Sequence, residues 1–273
     1  MSTSAPRVGV FDSGVGGLSV WRALNEALPG AQLHYLADNA WAPYGERPAD
    51  ALRERTLALV RAWRAHEPLD MLVLACNTAT AVAVDALRAE HPDLPIVGME
   101  PALRPGLNTT RSGHVGVVAT RATLESPRYQ ALRSTCLGAA REGLQLHERA
   151  CTGLADAIER GDGPRAWALC RTHLQALLAE APQIDTLVLG CTHYPLVNEA
   201  WHAASDRVLR LIDPAEAVAR RALSLLGAVD GPPQVPIWRC TGGGLAISRA
   251  AAEWLGTEAL ARTVNWCPIR PVP

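Results

Sequence analysis

No lysine occurs in this chain of 273 residues; all 26 basic side chains are arginine. That absence excludes every mechanism built on a Schiff-base lysine, pyridoxal phosphate catalysis among them. It also removes the lysine of the commonest phosphate-binding loop. The seven cysteines are odd in number and contain no CxxC pair. A secreted disulfide framework or a zinc finger is therefore not expected, and reduced thiols in the cytoplasm are. No metal and no cofactor are anticipated. No apolar run approaches the roughly 18 residues of a membrane helix, and no signal segment opens the chain. With a formal net charge of -1 there is no basic field to hold nucleic acid or an anionic membrane. Phenylalanine is nearly absent, a single residue against eight tryptophans, and only packing roles are assigned to those rings.

What is present is a regular alternation. Short apolar runs at 8–11, 32–37, 71–75, 96–98, 114–119, 144–148, 186–190, 208–212 and 235–240 read as strands. Between them lie helical patterns at 17–28, 49–66, 78–90, 127–136, 164–180, 195–204, 214–226 and 246–255. Continuous apolar strands separated by helices predict an α/β fold with mainly parallel sheets covered on both faces. The length suits two such domains.

Two of the strands share a frame. Asp70-Met-Leu-Val-Leu-Ala-Cys-Asn-Thr and Asp185-Thr-Leu-Val-Leu-Gly-Cys-Thr-His each run from an acid through a buried strand to a cysteine and a hydroxyl-rich turn. Ligand crevices in parallel sheets lie beyond the carboxyl ends of the strands, where Cys76 and Cys191 fall. A helix beginning just after each cysteine would favour a thiolate through its dipole. A lone buried cysteine is more often a small hydrophobe; two in matching frames favour chemistry. Cys136, Cys151, Cys170, Cys240 and Cys267 lack that context and are assigned to packing. The first strand ends in DSGVGG (12–17), whose glycines suit close backbone approach to a ligand. Its spacing is not that of a dinucleotide fingerprint. Pro43-Tyr44-Gly45 reads as a turn after a strand, as consistent with a plain loop as with binding.

VGVFDSGVGG, ADNAWAPYGERP, LVLACNTATA, GVVATRATLESPRY, LVLGCTHYPLV and WRCTGGG, in that order and spacing, resemble glutamate racemases of the aspartate/glutamate racemase superfamily. The resemblance runs over nearly the whole chain. It implies two similar α/β domains, 1–98 with 211–273 and 99–210, and an active site in the cleft between them. Cys76 and Cys191 match the catalytic cysteines, with Asp12 and His193 assisting proton movement. Asp12, Ser13, Tyr44, Gly45, Asn77, Thr78, Thr192 and His193 match substrate-binding positions, as do Thr120 and Thr123. Glu159, in CTGLADAIE, falls where the family supports its histidine, although the surrounding residues depart from the usual pattern. Asn39, Trp41 and Glu100 are further departures, none at a cysteine. The resemblance also implies a homodimer and a role supplying D-glutamate for peptidoglycan.

The residues alone fit this chemistry. Inverting an amino-acid Cα needs a base on one face and an acid on the other, and a thiolate opposite a thiol supplies both. Aspartate racemase is the alternative within the superfamily. A Cys191–His193 hydrolase would leave the Cys76 frame unexplained, and a dicarboxylate-binding module would leave both thiols idle. The histidines other than His193 (34, 66, 91, 114, 147, 173 and 202) are expected to be structural or solvated.

Overall fold

A computed structural model describes residues 5–266, so Cys267 lies outside the described residues. In chain order the elements run β1 (Arg7–Asp12), α1 (Leu18–Ala27), β2 (Gln32–Ala37), α2 (Ala49–His66), β3 (Met71–Leu74), α3 (Asn77–Glu90) and β4 (Ile96–Gly98). A second set follows: α4 (Leu103–Thr109), β5 (His114–Ala119), α5 (Arg121–Leu124), α6 (Pro127–Gly138), β6 (Gln145–Ala150), α7 (Leu154–Glu159), α8 (Gly163–Glu180), β7 (Thr186–Gly190), α9 (Asn198–Ala203) and β8 (Arg210–Ile212). The chain then returns through α10 (Ala215–Leu226), β9 (Ile237–Cys240), α11 (Leu245–Leu255) and β10 (Arg262–Thr263).

The strands form two parallel sheets, ordered β10-β9-β2-β1-β3-β4 and β6-β5-β7-β8. The segments β2-β1-β3-β4 and β6-β5-β7-β8 repeat one strand order, so the sequence echo around the two cysteines is an architectural repeat. In each sheet the order reverses beside the first strand, which opens a crevice at the carboxyl ends. Asp12 and Cys76 flank that point in the first sheet, Thr120 and Cys191 in the second. The strand Arg210–Ile212 pairs with β7, so the second sheet runs two residues past the division expected at 210/211.

The central strands read as continuous apolar runs because helices cover both faces. Met71–Leu74 and Thr186–Gly190 are buried at every residue. One core cluster spans the inner faces of both sheets, and separate clusters fill the outer faces. Trp63 and Trp201 are fully buried within them. Trp21, Tyr35 and Trp238 pack together, with ring centroids 5.1 and 5.4 Å from the Trp238 ring.

Some helix starts carry a capping side chain. Ser126 caps α6 ahead of Pro127, and Asp162 caps α8 ahead of Pro164. The short helices α4, α5 and α7 were not anticipated. Pro105 and Gly106 interrupt the pattern of the first, and the others are too short to show a period. The helix expected over 195–204 also differs. Residues Tyr194–Val197 form a 3₁₀ turn, and α9 starts only at Asn198. Amides of Tyr194 and Leu196 bond three residues back, to Cys191 and His193, while Pro195 has no N–H to extend the ladder. Cys191 therefore does not stand at an α-helix N-terminus, unlike Cys76, which caps α3.

Candidate functional site

Where the two crevices face each other, Cys76 and Cys191 line one small cavity of about 10 Å³. That is room for about one water molecule. The cavity wall contains Ser13, Tyr44, Gly45, Asn77, Thr78, Thr120, Thr192 and His193, all anticipated, together with Pro43 and Ala155. Asp12, Thr123 and Glu159 stand one layer behind it. A larger cleft of about 630 Å³ opens on the far side of Glu159, between α1, α8 and α11, and holds neither cysteine. The sulfur chemistry belongs to the small cavity.

Each cysteine is held differently. Cys76 ends the buried run of β3 and caps α3; its Sγ accepts the Ala79 amide at 3.4 Å and lies 3.7 Å from the Ser13 hydroxyl. Burial pushes the Cys76 thiol up to about 12, and the nearby Asp12 charge adds to this against the Ala79 amide. The helix-start position, expected to favour a thiolate, is overridden by desolvation. On the other side Cys191 Sγ lies 3.8 Å from His193 Nδ1.

His193 is completed by Glu159. Its Nε2 donates to Glu159 Oε2 at 2.8 Å, and the same oxygen accepts the Val15 amide at 2.8 Å. Burial opposes the imidazolium, yet the hydrogen bonds to Cys191 and Glu159 prevail and raise the His193 pKa well above its ordinary value. Gly14 and Gly16 make this contact possible. A Cβ on Gly14 would meet the Glu159 carboxylate oxygens, and one on Gly16 would stand 2.5 Å from the His193 ring and the Thr192 hydroxyl. Gly14 and Gly16 of DSGVGG thus serve close approach between the two halves.

Asp12 is fully buried. Its Oδ1 accepts the Gly14 amide at 2.8 Å and its Oδ2 accepts the Thr192 hydroxyl at 3.1 Å, a link between the halves. Burial raises its carboxyl to about 6, against the opposing pull of His193 and the Gly14 amide. Thr78, Thr120 and Thr123 form a closed triangle of hydroxyls, 3.0–3.3 Å on each side.

Asn77 completes the polar wall. Its Oδ1 and Nδ2 are buried without a protein partner. Unmet polar atoms of this kind are costly, and their place in the cavity wall fits a ligand that satisfies them. Among the described residues no arginine lines the cavity, so an anionic ligand would be held by neutral amides and hydroxyls. Among the described residues no three His, Cys, Asp or Glu side chains converge as a metal site would.

Sequence reasoning passed over Asp38, which accepts the Tyr44 hydroxyl, and Arg55 and Thr241, which donate to Asp38. A signal existed: Asp38 follows β2 as directly as Asp12 ends β1.

No helix among the described residues is long and apolar enough to cross a membrane. The Asp/Glu/Hydantoin racemase family matches residues 8–222. A glutamate racemase of Ectopseudomonas mendocina is 45% identical over 229 residues, spanning 83% of this chain and 84% of its own. The crystal structure of a Bacillus anthracis glutamate racemase isoform shares the fold with a TM-score of 0.83 at 30% identity, over 97% of this chain and 98% of that one. The Escherichia coli glutamate racemase, solved with L-glutamate and the activator UDP-MurNAc-Ala, gives a TM-score of 0.75 at 31% identity, over 92% and 94%. With this sequence kinship over the very segments that build the two-cysteine cavity, the chain belongs to the Asp/Glu/Hydantoin racemase family, among its glutamate racemases, and is an amino-acid racemase acting on a small molecule.

Proposed function

We propose that the protein interconverts L- and D-glutamate by proton transfer between Cα and two cysteines, without a cofactor. The observation that carries this reading is the shared cavity of Cys76 and Cys191, reached from equivalent strand ends of two repeated sheets. Flanking a substrate Cα, one sulfur as thiolate removes the proton while the other thiol delivers its proton to the opposite face. The C–H electron pair stays on Cα between the two events, and the sulfurs end with exchanged protonation. Asn77, Thr78 and Thr192, next to the cysteines in sequence, suit the α-carboxylate. The Tyr44–Gly45 turn suits the distal one.

Acid–base catalysis of this kind supplies roughly 10²–10⁴ per group. The rest must come from fixed dipoles around the carbanion in a space closed to water. Asp12 and His193 fit the role of proton assistants. With a raised pKa, His193 can exchange a proton with the Cys191 sulfur 3.8 Å away. A cytoplasmic homodimer supplying D-glutamate to peptidoglycan synthesis is part of the same proposal. Six buried free thiols among the described residues suit that reducing setting.

The test is incubation with L-glutamate, and separately L-aspartate, in deuterated water without added cofactor. D-glutamate labelled at Cα is the expected product. Faster turnover of aspartate would move the protein to the sister activity, and no exchange with either would end the reading.

A further inference from the structure

Asp38, one residue past β2, collects four hydrogen bonds from three residues: Tyr44 and Arg55, which follow it in the chain, and Thr241 from the returning segment. Arg55 on α2 donates Nη2 to Oδ1 at 2.7 Å and Nε to Oδ2 at 3.0 Å. The Thr241 hydroxyl, just past β9, donates to Oδ1 at 2.6 Å, and the Tyr44 hydroxyl donates to Oδ2 at 2.5 Å. The Asp38 side chain is fully buried and that of Arg55 is 4% exposed. Taking such a pair out of water costs several kcal/mol, recovered only with good geometry and filled lone pairs. A pair of this sort is a poor source of net stability and a good device for holding one geometry.

What it holds is the Tyr44–Gly45 wall of the cavity. Residues Tyr44–Glu46 form a single 3₁₀ turn with no side-chain cap. A turn this short has little rigidity of its own. It is fixed from behind instead. Arg47 donates Nε to the Trp41 carbonyl at 2.6 Å, and the guanidinium groups of Arg47 and Arg55 each lie 5.2 Å from the Trp41 ring centre. In front, a Cβ on Gly45 would stand 2.6 Å from Thr120, so the turn already touches the opposite half. Displacement of the turn in either direction changes the shape of the cavity.

We propose that Asp38, clamped by Arg55 and Thr241, is a positioning residue that sets the Tyr44–Gly45 turn for the distal carboxylate of the substrate. This rests on the glutamate reading above. The donors beside Cys76 and Cys191 are tied to the reacting carbon, which leaves this turn for the far end. Disturbing its support therefore weakens binding of glutamate more than it slows proton transfer. The arrangement also accounts for the WRCTGGG tail. Thr241 carries the return segment onto the wall of the site, with Asn39 accepting the Gly242 amide at 2.7 Å beside it.

The experiment compares Thr241→Val, Arg55→Lys and Asp38→Asn with the unmodified enzyme, using glutamate kinetics and thermal melting. Thr241→Val keeps the shape and removes the hydroxyl's bond to Asp38 together with the weaker one it accepts from the exposed Ala40 amide, so it remains informative where Asp38→Asn fails to fold. The expected result is a KM for glutamate raised about tenfold or more, with kcat within about threefold. KM unchanged in Thr241→Val and Arg55→Lys, with only the melting temperature lowered, would overturn the assignment by leaving a purely structural role. A kcat loss at constant KM would overturn it as well. If the unmodified enzyme shows no Cα exchange with glutamate, the functional reading fails, and this assignment falls with it.

Discussion

Glu159 and His193 meet through a single carboxylate oxygen that also receives the Val15 amide, both contacts at 2.8 Å. Glu159 and His193 come from the second half of the chain and Val15 from the first. One hydrogen-bonded oxygen therefore both orients the histidine beside Cys191 and ties the two halves together.

Glu159→Gln keeps a hydrogen-bonding side chain but removes the charge that holds the His193 proton. Racemisation should fall by about 10- to 100-fold. Gly14→Ala should do the same without touching a polar group, because its Cβ occupies the position of the Glu159 carboxylate. The double variant should be little worse than either single one, since both break one contact. Additive losses in kcat/KM would show that the two residues act separately.

The cysteine pair is tested through enantiomer preference. Under the proposed mechanism each sulfur, on its own face of Cα, serves as base for one enantiomer, and the family resemblance would assign D-glutamate to Cys76 and L-glutamate to Cys191. Serine can donate a proton but is a poor base. Cys76→Ser and Cys191→Ser should each lose at least about 10² in racemisation. With a glutamate analogue carrying a β-leaving group, elimination needs only removal of the Cα proton. Cys76→Ser should then process the L form and Cys191→Ser the D form. The same preference in both variants would rule out two opposed bases.

Asp12 links pH to stability. Its carboxyl titrates near 6 when folded against 3.8 for an unperturbed aspartate, because burial disfavours the charge. Between those values the folded chain holds a proton that the unfolded chain releases, so stability falls as pH rises through the interval. Above pH 6 the whole cost is present, about 3 kcal/mol for a shift of about two units. Asp12→Asn should therefore raise the melting temperature at pH 8, leave it nearly unchanged at pH 4, and lose most racemase activity. Denaturation at the two pH values decides; an equal gain at both would separate the effect from ionisation.

Chelator dialysis and treatment with a carbonyl reagent such as hydroxylamine should leave racemisation unchanged, since the proposed chemistry uses only sulfur acids and fixed dipoles. Activity restored only by added metal or pyridoxal phosphate would end the two-cysteine mechanism.

The strands beneath both cysteines, the helices between them and the repeat of one frame around Cys76 and Cys191 were determined by the sequence itself. Burial on both faces imprints itself directly as unbroken apolar runs, and a strand end is a local feature. Motif order was enough to indicate the family. Tertiary structure decided the rest. It supplied the contact of Glu159 with His193, which the resemblance had only suggested, and it brought Thr241 from the returning segment onto Asp38, Arg55 and Tyr44. It replaced the start of the helix expected after Cys191 with a 3₁₀ turn, and it reversed the expected ease of ionising Cys76. Hydrogen bonds between distant residues, desolvation and charge are sums over neighbours in space, and a sequence pattern records neighbours only along the chain.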